Sequence, residues 1–208
     1  MTNIVIPATG PLDYDIVIQK GKTLSLVLRV EAAPLVYKAI TAITKAGPVA
    51  ITAASHGLTD GWRAAVSSVG GMRQLNSEHF PPQDTDYHKV TKTDANTVGF
   101  NDVDSTNYTT YTSGGSLVYP TALSLASCSA RMQIRATAAA TATLASLVSP
   151  TDIVLDDAAK TVTVTITAAV TAAYTFTSGV YDLEFVNAAS AVSLLMSGNV
   201  TVEAEVTR

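Results

Sequence analysis

Asp84, Asp86 and His88 are the residues whose types and spacing come nearest to a metal site. On a strand, side chains at i, i+2 and i+4 point to one face, where two carboxylates and an imidazole can hold a divalent ion. The alternative is a solvated loop after the Pro81-Pro82 pair. Zinc would need a fourth donor, with His79 the nearest histidine, and the pattern supplies no second layer of supporting residues. We therefore favour the loop and predict no metal and no other cofactor.

A second set of reactive residue types is His56 and Asp60 with the serines of the chain, the components of a Ser-His-Asp hydrolase. Such a triad is defined by its geometry, and the sequence contains no nucleophile-elbow pattern. Cys128 is the only cysteine, and its apolar neighbours Ala130 and Met132 are typical of a small buried hydrophobe rather than a reactive thiol. We therefore predict that the protein is not an enzyme and has no catalytic residues.

Aromatic residues of the central stretch form a candidate contact surface. Trp62, the only tryptophan, stands beside Arg63, and the tyrosines follow along the same stretch. Together they have the chemistry of a sugar-stacking platform. The favoured alternative is that Trp62 caps a core or meets a partner subunit, because tryptophan is enriched in both places. The candidate residues are Trp62, Arg63, Tyr87, Tyr108 and Tyr111.

The composition argues against polyanionic partners. Charged residues make up 14% of the chain, the formal net charge is −4 and the pI is about 5.2, so no basic field attracts nucleic acid or an anionic membrane. The first residues do not show a basic segment followed by an apolar run, so we expect no secretory signal. The most apolar run, 136–148, is interrupted by threonines and falls short of the roughly 18 residues of a membrane helix. We expect no nucleic acid partner and no membrane insertion.

The flanks of the chain show the period-two alternation of strands. Val162, Val164 and Ile166 alternate with threonines, and similar runs recur every 8 to 12 residues or so between Gly, Asn and Asp turns, which favours an antiparallel sandwich. Near the start, Lys20-Gly21-Lys22 separates two such runs and predicts a hairpin that ends at Pro34. Within 167–173 the alternation stops, and Thr167 suits the N-cap of a short helix.

The order of these patterns predicts three parts. Residues 1–12 contain Pro7 and Pro11 and are predicted to form an N-terminal arm that contacts another subunit, in which Ile4, Val5 and Ile6 could add one short strand to a neighbour's edge. The hairpin alone is too small to be stable, so residues 13–36 and 117–208 should share one sandwich, with 37–116 inserted between them. The ends of the insert should lie close together. The predicted fold is all-β, an immunoglobulin-like antiparallel β-sandwich with an inserted small β-barrel.

The central stretch contains several motifs in a fixed order: Ala39-Ile40-Thr41 to Gly47-Pro48-Val49, Ser55-His56-Gly57-Leu58-Thr59-Asp60-Gly61, Gly70-Gly71-Met72 with Leu75-Asn76, and Asp104-Ser105-Thr106 to Gly114-Gly115. At these residues the chain resembles the small β-barrel named after the first catalytic-cysteine half-domain of ubiquitin-activating enzymes. That module recurs as an insertion in proteins of tailed bacteriophages. The chain differs from the common pattern at Ser77, which replaces a glycine, and in a longer segment 78–88.

The flanks contain a second set of characteristic segments: Asp13 to Gly21, Ala130 to Arg135, Tyr181 to Glu184, Gly198 to Val202 and Glu205 to Arg208. These segments are similar to an immunoglobulin-like sandwich of phage tail, baseplate and fibre-attachment proteins. The resemblance implies a non-enzymatic virion component, assembled in the host cytoplasm, that forms a homo-oligomer and contacts other phage structural proteins. The alternatives are a capsid decoration protein, or a receptor-binding module whose inserted domain recognises a host surface glycan. Ubiquitin activation is not implied, because nothing in the chain matches the catalytic cysteine or the nucleotide site of those enzymes.

Overall fold

The computed structural model describes residues 2–7 and 10–205 and confirms the all-β prediction. The one α-helix among the described residues is α1 (Ala168–Ala173), and short 3₁₀ turns occur at Arg73–Leu75 and Asp84–Asp86. The C-terminal motif from Val206 to Arg208 lies outside the described residues. The strands are β1 (Thr2–Ile6), β2 (Leu12–Asp13), β3 (Ile16–Gln19), β4 (Leu24–Ala39), β5 (Ala42–Ile43), β6 (Val49–Thr52), β7 (Arg63–Ser67), β8 (His88–Lys92), β9 (Thr97–Phe100), β10 (Ser116–Ala122), β11 (Ser129–Arg135), β12 (Thr143–Val148), β13 (Ile153–Asp156), β14 (Thr161–Ile166), β15 (Ser178–Val186) and β16 (Val192–Glu203).

The chain folds as two compact units. The flank unit contains the residues up to Glu31 and those from Ala122 onward, and the central unit contains Ala32–Thr121. Strands β4 and β10 each run through a boundary between the units. Inside the central unit these strands lie side by side: Ile40 N–H donates to Gly115 O (3.0 Å) and Thr121 Oγ1 donates to Pro34 O (2.7 Å).

The flank unit is a sandwich of two sheets around one core. In the first sheet, β14 pairs antiparallel with both β13 and β4, and β1 pairs parallel with β4. In the second, β12, β11, β15 and β16 pair antiparallel in that order, and β2 and β3 pair parallel with β16. Alternation explains the packing, since Val162, Val164 and Ile166 of β14 are buried and join Met132 and Leu183 of the second sheet in one core cluster.

Helix α1 follows β14 as the sequence predicts. Thr167 is its N-cap, and its hydroxyl accepts a hydrogen bond from Val170 N–H at 3.4 Å. Thr171, a poor helix former, is fully buried. Its hydroxyl lies 2.9 Å from Lys22 O and 3.0 Å from Ala168 O, so its polar group is satisfied in the interior. The helix is therefore fastened to the loop that precedes β4.

Three local predictions at the N-terminus are wrong. Strands β3 and β4 do not form a hairpin: β3 pairs with β16 and β4 with β14, because each packs its apolar face into the core from a different sheet. β4 continues past Pro34, which lacks an N–H but contributes its carbonyl to Thr121. The predicted arm instead carries β1, whose Ile4 and Ile6 are buried in the core of this same chain.

The central unit is an open sheet rather than a closed barrel. Its strands are neighbours in the order β4, β10, β7, β8, β9, β6 and β5, and the pairings from β10 to β5 are antiparallel. Among the described residues, no strand pairing joins β5 back to the start of this series. The side chains of Val49, Ile51, Phe100 and Leu117 are fully buried between these strands and the loops that connect them. The prediction of a sandwich is confirmed, whereas the prediction of a small closed barrel is wrong, because the end strands of this sheet do not pair with each other.

Candidate contact surface

The polar segment 78–88 of the central unit, which leads into β8, is held in shape by one carboxylate. Asp86 Oδ1 accepts a hydrogen bond from Glu78 N–H at 3.0 Å, and its Oδ2 accepts from Gln83 N–H at 2.8 Å and lies 3.1 Å from His79 Nδ1. The Asp86 side chain is only 4% exposed. Three points of the loop are therefore tied to one buried group, which fixes the backbone around Phe80-Pro81-Pro82.

The same hydrogen bonds favour the charged form of Asp86. Donation from Gln83 N–H is the main cause that lowers the pKa of the Asp86 carboxyl below its usual value, with further contributions from Glu78 N–H and from His79. Since the folded pKa is lowered, the stabilisation is present near neutral pH and is lost only in acid. The loop is thus built to keep its shape across the physiological range.

Phe80 stands at the outer end of this loop and is 74% exposed. Its ring lies 6.2 Å from the ring of Tyr37 on β4, at an interplanar angle of 55°, and Tyr37 is itself 46% exposed. Neither residue was among the contact residues predicted from the sequence. Phe80 precedes two prolines in a polar loop and is not part of an alternating strand that would bury it, and this pattern could have indicated that its ring is exposed.

Arg63 and Tyr87, two of the predicted contact residues, do lie together. The Arg63 guanidinium carbon is 4.5 Å from the centroid of the Tyr87 ring, and Arg63 Nη1 is 2.9 Å from Asp84 Oδ1. Because the Asp84 side chain is 86% exposed, this ion pair adds little stability, and its effect is to orient the guanidinium over the ring. We call Tyr37, Phe80, Arg63, Asp84 and Tyr87 the 78–88 surface.

Trp62 does not belong to this surface. Its indole is 3% exposed, and Nε1 donates a hydrogen bond to Pro120 O at 3.0 Å. The prediction of Trp62 as a contact residue is corrected, because the ring packs inside the central unit with its single polar atom satisfied. The alternative stated from the sequence, that Trp62 caps a core, describes this position.

The last two predicted contact residues lie on another segment, 104–115. The Tyr111 hydroxyl is 3.0 Å from Ile40 O and 3.1 Å from Gly114 O, so its ring bridges two parts of the backbone. Tyr108 is half-buried, and its N–H donates to Ser105 O at 3.0 Å. The Tyr111 hydroxyl therefore helps to fasten this segment, and the bond of Tyr108 belongs to its backbone.

The residues considered as metal ligands have separate partners. Asp84 and Asp86 lie in a 3₁₀ turn, not on the strand that begins at His88, so the i, i+2, i+4 geometry does not arise. Asp84 pairs with Arg63, and His88 Nδ1 lies 2.7 Å from Asp102 Oδ2. Within residues 2–7 and 10–205, no group of three His, Cys, Asp or Glu side chains is arranged to hold a metal ion.

His56 supports the backbone, because Leu58 and Asp94 supply the main-chain groups that its ring nitrogens contact. The ring is buried: Nδ1 accepts from Leu58 N–H at 3.0 Å, and Nε2 is 3.0 Å from Asp94 O, which assigns the proton to Nε2. Asp60 Oδ1 accepts from Lys92 N–H at 3.0 Å. Burial lowers the pKa of His56 below its ordinary value of 6.5.

This histidine predicts a pH dependence of stability. The unfolded chain takes up a proton on His56 near pH 6.5, whereas the folded chain resists it, so the free energy of unfolding is expected to fall as the pH drops below 6.5. Urea unfolding followed by Trp62 fluorescence at about pH 7.5 and pH 5.5 measures this difference. In His56→Asn, which keeps an acceptor near Nδ1 and cannot be protonated, the difference should shrink. An unchanged difference would contradict the role given to His56.

Cys128 is half-buried and packs against the core of the flank unit, with Sγ 3.2 Å from Ala126 O. None of the described helices is long and apolar enough to cross a membrane.

In comparisons with known proteins, no protein-family model matches the chain, and no curated protein matches it.

Proposed function

We propose that this chain is a non-enzymatic structural component of a tailed phage particle, placed in the tail, baseplate or fibre attachment, and that it acts through protein–protein contacts. The observation that carries the proposal is the exposed Phe80 ring, which stands on a loop fixed by buried Asp86 and lies beside the exposed Tyr37 of β4. The phage setting is supported by the resemblance of the central motifs and the flanks to phage modules. The proposal includes a homo-oligomer, since structural proteins of particles repeat by symmetry.

The 78–88 surface has the chemistry of a protein interface. Aromatic and arginine side chains supply most of the binding energy at interfaces. Here the exposed Phe80 ring of the loop lies beside the exposed Tyr37 ring of β4, and Tyr87 of the same loop stacks with Arg63 of β7. A loop that is already ordered loses little conformational entropy on binding, so more of the contact energy appears as affinity. The bonds of Asp86 provide that order.

The test is the particle itself. Mass spectrometry of purified particles of the phage that encodes the chain is expected to find it in many copies. Phe80→Ala should lower its incorporation at least tenfold, because a central aromatic anchor contributes about 2 kcal/mol or more. Phe80→Tyr, which keeps the ring, should incorporate normally, and Val170→Ala, which trims an exposed apolar residue of α1, serves as the control.

Two outcomes would contradict the proposal at different levels. A chain absent from particles rules out the structural role. A chain that is present, with Phe80→Ala incorporated like wild type, rules out the 78–88 surface as the contact. A reconstruction that places the chain on the head would favour capsid decoration over the tail within the same class.

A second candidate is a receptor-binding module that recognises a host glycan with the central unit. It is favoured by the Phe80 and Tyr37 rings, which are open to solvent and able to stack on a sugar face. In that case an array of oligosaccharides binds the purified protein, and Phe80→Ala abolishes the binding. Trp62 takes no part, because it is buried.

A further inference from the structure

The outer face of the second sheet of the flank unit contains a groove of about 610 Å³. Its floor is formed by strands β11, β15 and β16. The central row of the floor crosses all three strands, since Gln133 pairs with Asp182 and Asp182 pairs with Ser197. The volume is within the range of about 300–1,000 Å³ that is typical of small-molecule sites.

Two irregularities and one loop turn this sheet face into a groove. The register shifts between Ile134 and Arg135 in the pairing of β11 with β12, and between Leu183 and Glu184 in the pairing of β15 with β16. Such bulges increase the local twist of a sheet and occur often at functional sites. Ala138, in the loop between β11 and β12, lines one side of the groove, and Arg135 holds that loop by donating to Thr141 O at 2.8 Å and to Ala140 O.

The polar groups of the groove are held in place by their neighbours. Arg131 Nε donates to Glu184 Oε2 at 2.6 Å, which orients the guanidinium on the floor. Arg135 Nη2 donates to Gln133 Oε1 at 2.8 Å, so the Gln133 amide nitrogen is left as a donor. Asp182 is exposed in the middle row and is an acceptor when ionised. Donors and acceptors therefore alternate across an ordered surface.

We propose that this groove binds a neutral oligosaccharide. Its two arginines and two carboxylates balance, so it offers no net field to select an anion or a cation. Hydroxyl groups donate and accept at once, and the vicinal hydroxyls of a sugar ring match a floor on which both kinds of group are fixed. Val180 and Ala138 add small apolar patches for the C–H faces of the ring. The inference is independent of the proposed function, because it concerns the flank unit alone.

The test is an array of neutral and acidic oligosaccharides, followed by titration of the best neutral binder into the protein. Ala138→Trp leaves every polar group in place but fills the groove from its wall, and we expect at least tenfold weaker binding. Ala139→Trp is the matched control, since Ala139 is the next residue of the same exposed loop and does not line the groove. It should bind as the wild type does.

A second variant and a direct readout keep the result interpretable. Asp182→Ala removes an exposed acceptor, and we expect at least tenfold weaker binding with an unchanged unfolding curve. In ¹⁵N-HSQC spectra, the titration should shift the amides of Gln133, Asp182 and Ser197. The proposal is overturned if no neutral oligosaccharide binds, if binding survives Ala138→Trp and Asp182→Ala, or if Phe80→Ala alone abolishes it, which would assign the glycan to the 78–88 surface.

Discussion

Replacing Trp62 with alanine is expected to lower the free energy of unfolding of the central unit by about 3–5 kcal/mol, the cost of deleting a buried aromatic side chain. The indole is 3% exposed, so its removal leaves a cavity that the surrounding strands can fill only in part. Pro120 O also loses the hydrogen bond from Nε1. Total stabilities of domains are about 5–15 kcal/mol, so the variant should be close to unfolding at physiological temperature.

This loss is measured by urea unfolding, with hydrogen–deuterium exchange of peptides from β7 and β10 as the readout. Trp62→Phe separates the two causes, because it keeps most of the ring but gives up the hydrogen bond, whose loss costs about 1–3 kcal/mol when a buried partner is left unsatisfied. Phe80→Ala is the matched control, an aromatic truncation at a 74% exposed site of the same unit, and its effect on stability should stay within about 0.5 kcal/mol. Equal effects of Trp62→Ala and Phe80→Ala would refute the assignment of core and surface.

Gly71→Ala is expected to destabilise the central unit by about 2–5 kcal/mol, because the added Cβ is strained by the backbone conformation and also clashes with neighbouring atoms. Gly71 has φ +78°, a left-handed conformation that costs residues with a Cβ about 1–2 kcal/mol. A Cβ at this position would also lie 2.0 Å from Thr110 O and 2.8 Å from Thr112 N. Both atoms belong to the backbone, so relief of the clash requires that segment 104–115 move away.

Gly57→Ala is the control that isolates the second cost. Gly57 has nearly the same backbone angle, φ +71°, but an added Cβ meets no atom within 4 Å. Its expected cost is the conformational part alone, about 1–2 kcal/mol. Thermal unfolding of the two variants in parallel gives the difference, and a Gly71→Ala protein that is as stable as Gly57→Ala would show that Thr110 does not pack against this glycine.

Local alternation located many of the flank strands but not all of them: it gave no strand at β12, and it divided β16 at Gly198-Asn199 into two runs. In β14, Val162, Val164 and Ile166 have one side to bury and threonines on the other, and the strand ends where Thr167 caps α1. These are properties of consecutive residues. The same local rules also predicted the all-β class, because alternating apolar runs recur along the chain and are separated by residues that favour turns.

Pairing partners could not be predicted in the same way. Ile16 and Leu26 both read as strand residues around Lys20-Gly21-Lys22, yet the strands that carry them pair with β16 and β14. That choice depends on how two apolar faces meet across a core, which adjacent residues do not encode. Pro34 was misjudged for the same reason: whether a missing N–H ends a strand depends on the neighbour beside it.

The contact surface was predicted least well, because residue type alone does not separate core from surface. Trp62 and Phe80 are both large and aromatic, but Trp62 is buried and Phe80 is exposed. Tryptophan is enriched in cores and in interfaces alike, so its residue type could not decide whether Trp62 is buried or exposed. Arg63 and Tyr87 were both candidate contact residues, but the sequence did not predict their contact with each other. Asp84, which orients the Arg63 guanidinium, was first considered as a metal ligand.

The pairing of β3 with β16 sets an order for folding during synthesis. Ile16 lies opposite Val200, so β3 has to wait for almost the whole chain to be made before its partner exists. The central unit, by contrast, draws on residues up to Thr121 alone. Because domains fold as units while the ribosome is still adding residues, the central unit can fold first, and the flank unit is completed afterwards. Until then the apolar side chains of β3 and β4 remain without their final partners, and this interval is when the nascent chain is most exposed to aggregation.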